Sequence, residues 1–227
     1  MIRTALAALP RFALFLLAIL PVLTGWAVLS AMWQGGTGVF SDPADILRRQ
    51  SYPVAIVGHI IGGSAMLILG FTQFSTALRR RFPRLHVWLG RGLVVAGMGF
   101  ALFGLAMNAS PQAQADSALY NTSQNVMAVA YLCILGLGIR AIRQGRVADH
   151  RAWMMRGYAI TLGVATQTLL LLPVFVMFGP PMGLLSDLVV ILAWAFNLAV
   201  AEGIIRGWRL PRRHARPAAA PHTRTNT

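Results

Sequence analysis

Six long apolar runs constrain this chain more than any other feature: about Phe12–Trp33, Pro53–Phe74, Val87–Met107, Val126–Ile142, Trp153–Phe178 and Leu184–Ile205. A helix rises about 1.5 Å per residue, so roughly 20 apolar residues cross the hydrocarbon layer of a bilayer. In lipid, every backbone N–H and C=O must be satisfied inside the chain, which runs of this length achieve as α-helices. The expected fold is therefore an all-α polytopic integral membrane protein, with about six transmembrane helices in a bundle. The fourth run is short, and its polar lead-in Asn121–Asn125 is expected to extend that helix outward. The first run follows Arg3 and Arg11, as in a signal peptide, but it exceeds the roughly 7–15 apolar residues of one. It reads as a retained anchor.

Composition agrees. Only 11% of the 227 residues are charged, against about 25% in soluble domains. With 56% hydrophobic residues and a mean hydropathy of +0.62, much of the surface must face lipid. The net charge of +14 comes from arginines lying beside the apolar spans, which points to anionic lipid headgroups rather than nucleic acid as partner. The single cysteine, Cys133, excludes an intrachain disulfide or a thiolate metal cluster. It reads as a small buried hydrophobe.

The arginines alternate loop by loop. Arg79, Arg80, Arg81 and Arg84 fill one loop; Arg140, Arg143, Arg146, Arg151 and Arg156 flank another; the tail carries Arg206, Arg209, Arg212, Arg213, Arg216 and Arg224. The intervening loops hold only Asp116 and Asp187 as charged residues. By the positive-inside tendency, both termini are expected in the cytoplasm, with the protein in the cell inner membrane. Arg48 and Arg49 are exceptions on the outer side, offset by Asp42 and Asp45. The chain divides into residues 1–52, the first span and an outer loop; 53–205, a five-helix membrane domain; and 206–227, a basic tail expected to be disordered.

An internal echo runs through the middle. Ala77-Leu78-Arg79 precedes His86 as Ala141-Ile142-Arg143 precedes His150, and Arg91-Gly92 and Arg156-Gly157 follow. It suggests a tandem two-helix repeat, which would place His86 and His150 at matching depth.

Helical periodicity sorts the polar and small residues into stripes. His59, Gly63, Met66, Gly70 and Gln73 share one; His86, Gly90, Gly97, Gly104 and Asn108 a second; His150, Met154, Gly157, Thr161 and Thr168 a third. Such glycine stripes serve either close helix packing, as Gly58 and Gly62 suggest, or a slot for a flat cofactor. His59 lies in the apolar part of its span, where an imidazole needs a partner. Its expected role is either a hydrogen bond to a neighbouring helix or contact with a haem or quinone. No Asp or Glu lies deep in a span, which disfavours an ion-driven transporter. Phosphate-loop, dinucleotide, zinc-protease and nucleophile-elbow motifs are missing. Glu202 is placed to reach Arg206 one helical turn on.

Gly58-His59-Ile60-Ile61-Gly62-Gly63, Gly70-Phe71-Thr72-Gln73-Phe74, Leu85-His86 with Gly90-Arg91, Asp149-His150-Arg151-Ala152-Trp153-Met154-Met155-Arg156, and Asn197 with Glu202 together resemble the domain-of-unknown-function 2306 (DUF2306) family of multi-pass bacterial membrane proteins. The resemblance spans the second to sixth helices. Val87 and Gln167 depart from it, each standing where a basic residue belongs. The resemblance carries no reaction, but it marks His59, Gln73, His86, Arg91, His150, Trp153 and Arg156 as positions of interest.

The functional expectation is a redox-linked membrane protein with a haem b or quinone site. Its cofactor-binding candidates are His59, Gln73, His86, Arg91, His150 and Arg156. His86 and His150 are the iron ligands, and Arg91 and Arg156 pair with propionates. The alternative is a non-enzymatic membrane protein that binds lipid or a small molecule, or supports a partner complex.

Overall fold

The computed structural model describes residues 2–33, 47, 50–111, 117–179 and 183–209, with side chains from Ala18 to Gly207. The basic tail beyond Arg209 and the outer-loop charges Asp42, Asp45, Arg48, Arg49 and Asp116 lie outside the described residues. All regular structure described is helical: α1 (Ile2–Trp33), α2 (Pro53–Gly70), a 3-10 turn (Phe71–Phe74), α3 (Thr76–Arg81), α4 (Pro83–Asn108), α5 (Ala118–Arg143), α6 (Val147–Phe178) and α7 (Leu184–Arg209). Five of these segments, Pro53–Phe74 and α4 to α7, are long and apolar enough to cross a membrane. The first span is helical throughout as α1. The protein is thus a polytopic membrane bundle.

Local sequence sets the helix ends. Pro53 and Pro83 open α2 and α4, where a missing N–H costs nothing. The Ser117 side chain accepts from the Tyr120 N–H and caps α5, so the polar lead-in does lengthen the fourth span. Past its far end, Gly145 adopts a φ of 72°, and the Arg146 N–H returns to the Ala141 carbonyl. That glycine cap turns the chain within three residues into α6.

α6 is the axis of the bundle, packing against α1, α2, α5 and α7. Its buried stretch Gly157–Gly163 faces Tyr131 and Leu135 of α5 and Met66 of α2. α7 is less peripheral than its place as last span suggests: Val190 and Trp194 belong to the same buried cluster. The opposite faces stay apolar and uncovered, as with Val95 at 71% exposure and Phe196 at 63%. Lipid is the solvent for such faces. Cys133 belongs with them: it is exposed, because its side of α5 faces away from α4 and α6, and the expectation of burial fails.

α2 and α4 form the most extensive helix pair. A Cβ on Gly62 would stand 2.6 Å from the Ala96 carbonyl oxygen. The two backbones therefore touch, as the Gly58–Gly62 spacing predicts.

Candidate functional site

Two places gather the polar groups singled out in the sequence. The first lies inside the membrane domain, among α1, α2, α4 and α6. A half-enclosed cavity of about 310 Å³ there is lined by His59, Ser64, Phe100 and Thr161, among others. His59 is held firmly. Its Nδ1 is 2.8 Å from the Phe100 carbonyl oxygen, and its ring stacks on the Phe100 ring at 4.3 Å. A carbonyl only accepts, so Nδ1 carries the proton and Nε2 keeps its lone pair. Gly104 makes this possible, because a Cβ there would sit 3.2 Å from Nδ1.

The threonine hydroxyl protons of the cavity are spent locally. Thr24 donates to the Pro21 carbonyl, Thr168 to the Val164 carbonyl, and Thr161 lies within reach of the Gly157 carbonyl and the Tyr131 hydroxyl. What remains for a guest is an apolar pocket with one imidazole lone pair, beside the Ser64 hydroxyl.

The second place is the arginine-rich end. His86 and His150 are each the fourth residue of their helix, α4 and α6. They lie within electrostatic range of one another, as the sequence echo suggests. His150 Nδ1 donates to the Gly138 carbonyl at 2.8 Å, which leaves its Nε2 unprotonated in the neutral ring. His86 Nδ1 is buried without a hydrogen-bond partner. The loops under this pair differ: residues 71–82, with a 3-10 turn and α3, join α2 to α4, while a tight turn joins α5 to α6.

The remaining candidates are dispersed. Gln73 lies against Gly90 of α4, with its Nε2 buried and unpartnered. Arg91 is exposed and lies 5.1 Å from the ring of Trp88 on its own helix. Arg156 donates from Nε to Glu202 of α7 and lies 4.6 Å from the Trp153 ring. Glu202, expected to reach Arg206 along its own helix, bridges across to α6. Gln167 is buried and donates to the Val190 carbonyl, so that position ties α6 to α7.

The glycine stripe of α4 is filled rather than open. Gln73 stands over Gly90; Tyr131, Leu135 and Met66 over Gly97; His59 over Gly104. Each glycine receives a side chain from a neighbouring helix, which is packing and not a cofactor slot. Sequence reasoning did not find the Phe100 carbonyl, because no letter marks a backbone acceptor.

A family model described as "Predicted membrane protein (DUF2306)" matches residues 56–205, well over half of the chain. No curated protein and no solved structure matches it.

Proposed function

We propose, from the premise that this chain belongs to the DUF2306 family of predicted membrane proteins, that it is a redox-linked membrane protein holding a quinol-class lipid in the His59 cavity. The carrying observation is the tautomer imposed by the Phe100 carbonyl. It leaves an acceptor nitrogen beside the Ser64 hydroxyl, in a site otherwise lined by apolar surface and spent threonine hydroxyls, so the fitting guest is lipophilic and donates an O–H. A cavity of about 310 Å³ stands at the lower bound of ligand pockets, roughly 300–1,000 Å³. That admits a single substituted ring, with an isoprenoid-type tail leaving toward lipid.

The test is extraction. The full chain, purified in mild detergent from quinone-containing cells, is extracted with organic solvent and its lipids are quantified. Near-stoichiometric quinone or quinol is expected in the wild type, with a fivefold or greater loss in His59→Leu. If the extract holds instead a hydroxylated lipid without a redox ring, the site stands and the protein is a lipid binder. An extract with neither, together with no uptake of an added short-chain quinol, refutes the reading.

A second reading, haem b between His86 and His150, rests on their electrostatic proximity and on the carbonyl-anchored imidazole of His150. The filled glycine stripe argues against room for a macrocycle. A reduced-minus-oxidised visible spectrum decides it: a Soret band that shifts with dithionite and vanishes in His86→Ala and His150→Ala supports haem, and a colourless folded preparation removes it.

The arginine-rich ends are placed on the cytoplasmic face of a bacterial inner membrane, beside anionic headgroups, by the positive-inside tendency. Reporter fusions after Asn108 should read external and after Gly145 internal; the reverse pattern overturns the orientation.

A further inference from the structure

The His59 cavity holds a second polar group, and its hydroxyl is uncommitted. Ser64 is only 9% exposed and lines the cavity from α2, yet it makes no hydrogen bond among the described residues. The threonines of α6 behave differently: Thr161 and Thr168 each turn the hydroxyl back toward the carbonyl four residues earlier. A buried hydroxyl left unpaired is costly, so Ser64 needs a partner from within the cavity. It lies five residues, about 7.5 Å of helix rise, beyond His59 along α2. One turn past Ser64 the cavity ends, where the Tyr158 hydroxyl donates to the Leu67 carbonyl at 3.2 Å.

The two groups select differently. Ser64 both donates and accepts, so a hydroxyl or a carbonyl satisfies it equally. His59 Nε2 only accepts, because the Phe100 carbonyl, 2.8 Å from Nδ1, holds the ring proton there. A hydroxyl facing Nε2 makes a hydrogen bond; a carbonyl facing it sets lone pair against lone pair and leaves both groups unpaired. Moving the proton to Nε2 gives no escape, since Nδ1 would then face the Phe100 carbonyl without a donor. The two states of a quinone differ in this one respect: the ring oxygens only accept when oxidised, and carry O–H groups when reduced.

We infer that the His59 cavity discriminates between the redox states of a ring with two opposed oxygens, His59 taking the O–H of the reduced form and Ser64 holding the opposite oxygen in either state. The inference rests on the reading of the cavity as a quinol site. Preferential retention of the reduced form raises the midpoint potential of the bound two-electron couple, by about 30 mV for each tenfold ratio of affinities.

The experiment uses the full chain, delipidated in mild detergent and kept anaerobic. It is titrated with a short-chain benzoquinol, with the matching benzoquinone, and with the dimethyl ether of the quinol, which keeps the ring and lacks both O–H groups. Bound ligand is quantified against empty micelles. The quinol is expected to bind about tenfold tighter than the quinone, as a stranded buried acceptor requires, and the ether no tighter than the quinone. Ser64→Ala should weaken quinol and quinone alike, by roughly three- to tenfold, and leave their ratio intact. His59→Gln, whose amide offers a donor as well as an acceptor, should bring the ratio to about one. His59→Leu is the second variant should His59→Gln misfold, with the same loss of preference expected. Saturable binding with equal affinity for quinol and quinone overturns the discrimination while the quinone site stands. A ratio unchanged in both His59 variants overturns the role given to His59, and a ratio that moves in Ser64→Ala overturns that given to Ser64. No saturable binding of any of the three ligands removes the quinol reading itself, and this inference with it.

Discussion

Gly62→Ala is the sharpest probe of how the α2–α4 interface supports the His59 cavity. The added methyl would stand 2.6 Å from the Ala96 carbonyl oxygen, 3.1 Å from the Phe100 nitrogen and 3.2 Å from the Phe100 Cβ. Ordinary carbon–oxygen contacts lie at about 3.3–3.6 Å, so the helices must part by roughly 0.7–1.0 Å. The obstacle is helix backbone, which has no rotamer to turn. Overpacking of this kind costs about 1–3 kcal/mol. The same displacement acts one turn away, where His59 Nδ1 meets the Phe100 carbonyl at 2.8 Å. Stretched by that amount, the pair passes roughly 3.5 Å and stops being a hydrogen bond, a further loss of about 0.5–1.5 kcal/mol. The imidazole is then free to change tautomer, so lipid retention in the cavity should fall together with stability. The assay is reversible unfolding in mixed micelles alongside quantified lipid extraction. Gly136→Ala is the control, since nothing lies within 4 Å of a Cβ there. If Gly62→Ala is as stable as the wild type within about 0.5 kcal/mol, the backbone-contact account of this interface is wrong.

Two further outcomes follow from polar ties between helices. Ser117→Ala removes both the α5 cap and the Ser117 hydroxyl donated to Asp187, a carboxylate only 4% exposed; a loss of about 2–4 kcal/mol in micelle unfolding is expected, and a loss below ~1 kcal/mol would show that Asp187 is satisfied otherwise. For Arg156 and Glu202, whose side chains are 20% and 34% exposed, a double-mutant cycle to Gln should give a coupling of about 1 kcal/mol, the upper end of the range for partly solvated pairs; zero coupling would reduce the bridge to a topological charge.

Much of the architecture was legible because lipid leaves so few alternatives. Apolar run length located the helices, and the lead-in before Val126 became the capped start of α5 because Ser117 carries the side chain an N-terminus needs. The Arg79-to-His86 and Arg143-to-His150 echo matches two imidazoles that each stand fourth in their helix. Other features depended on what stands opposite, which periodicity does not index. Cys133 sits in an apolar run either way; only the bundle shows that its side of α5 faces outward. Glu202 stands one helical turn before Arg206, and nothing in that spacing shows that α7 packs on α6 so that Arg156 meets it.

The glycine stripes show the same limit where it bears on function. A groove and a packing seam have identical spacing, and they differ in whether another helix sends a side chain into the space. On α4 the three neighbours are Gln73, a cluster around Tyr131, and His59. Two of the three are themselves polar residues that the sequence marks as candidates. The glycines of α4 therefore receive candidate side chains, and the space along the stripe is filled by them. Gly104 admits the imidazole to the Phe100 carbonyl, and Gly90 receives the Gln73 amide. The polar chemistry nearest the α4 groove is therefore the acceptor nitrogen that His59 keeps in the membrane-depth cavity, held there by the Phe100 carbonyl.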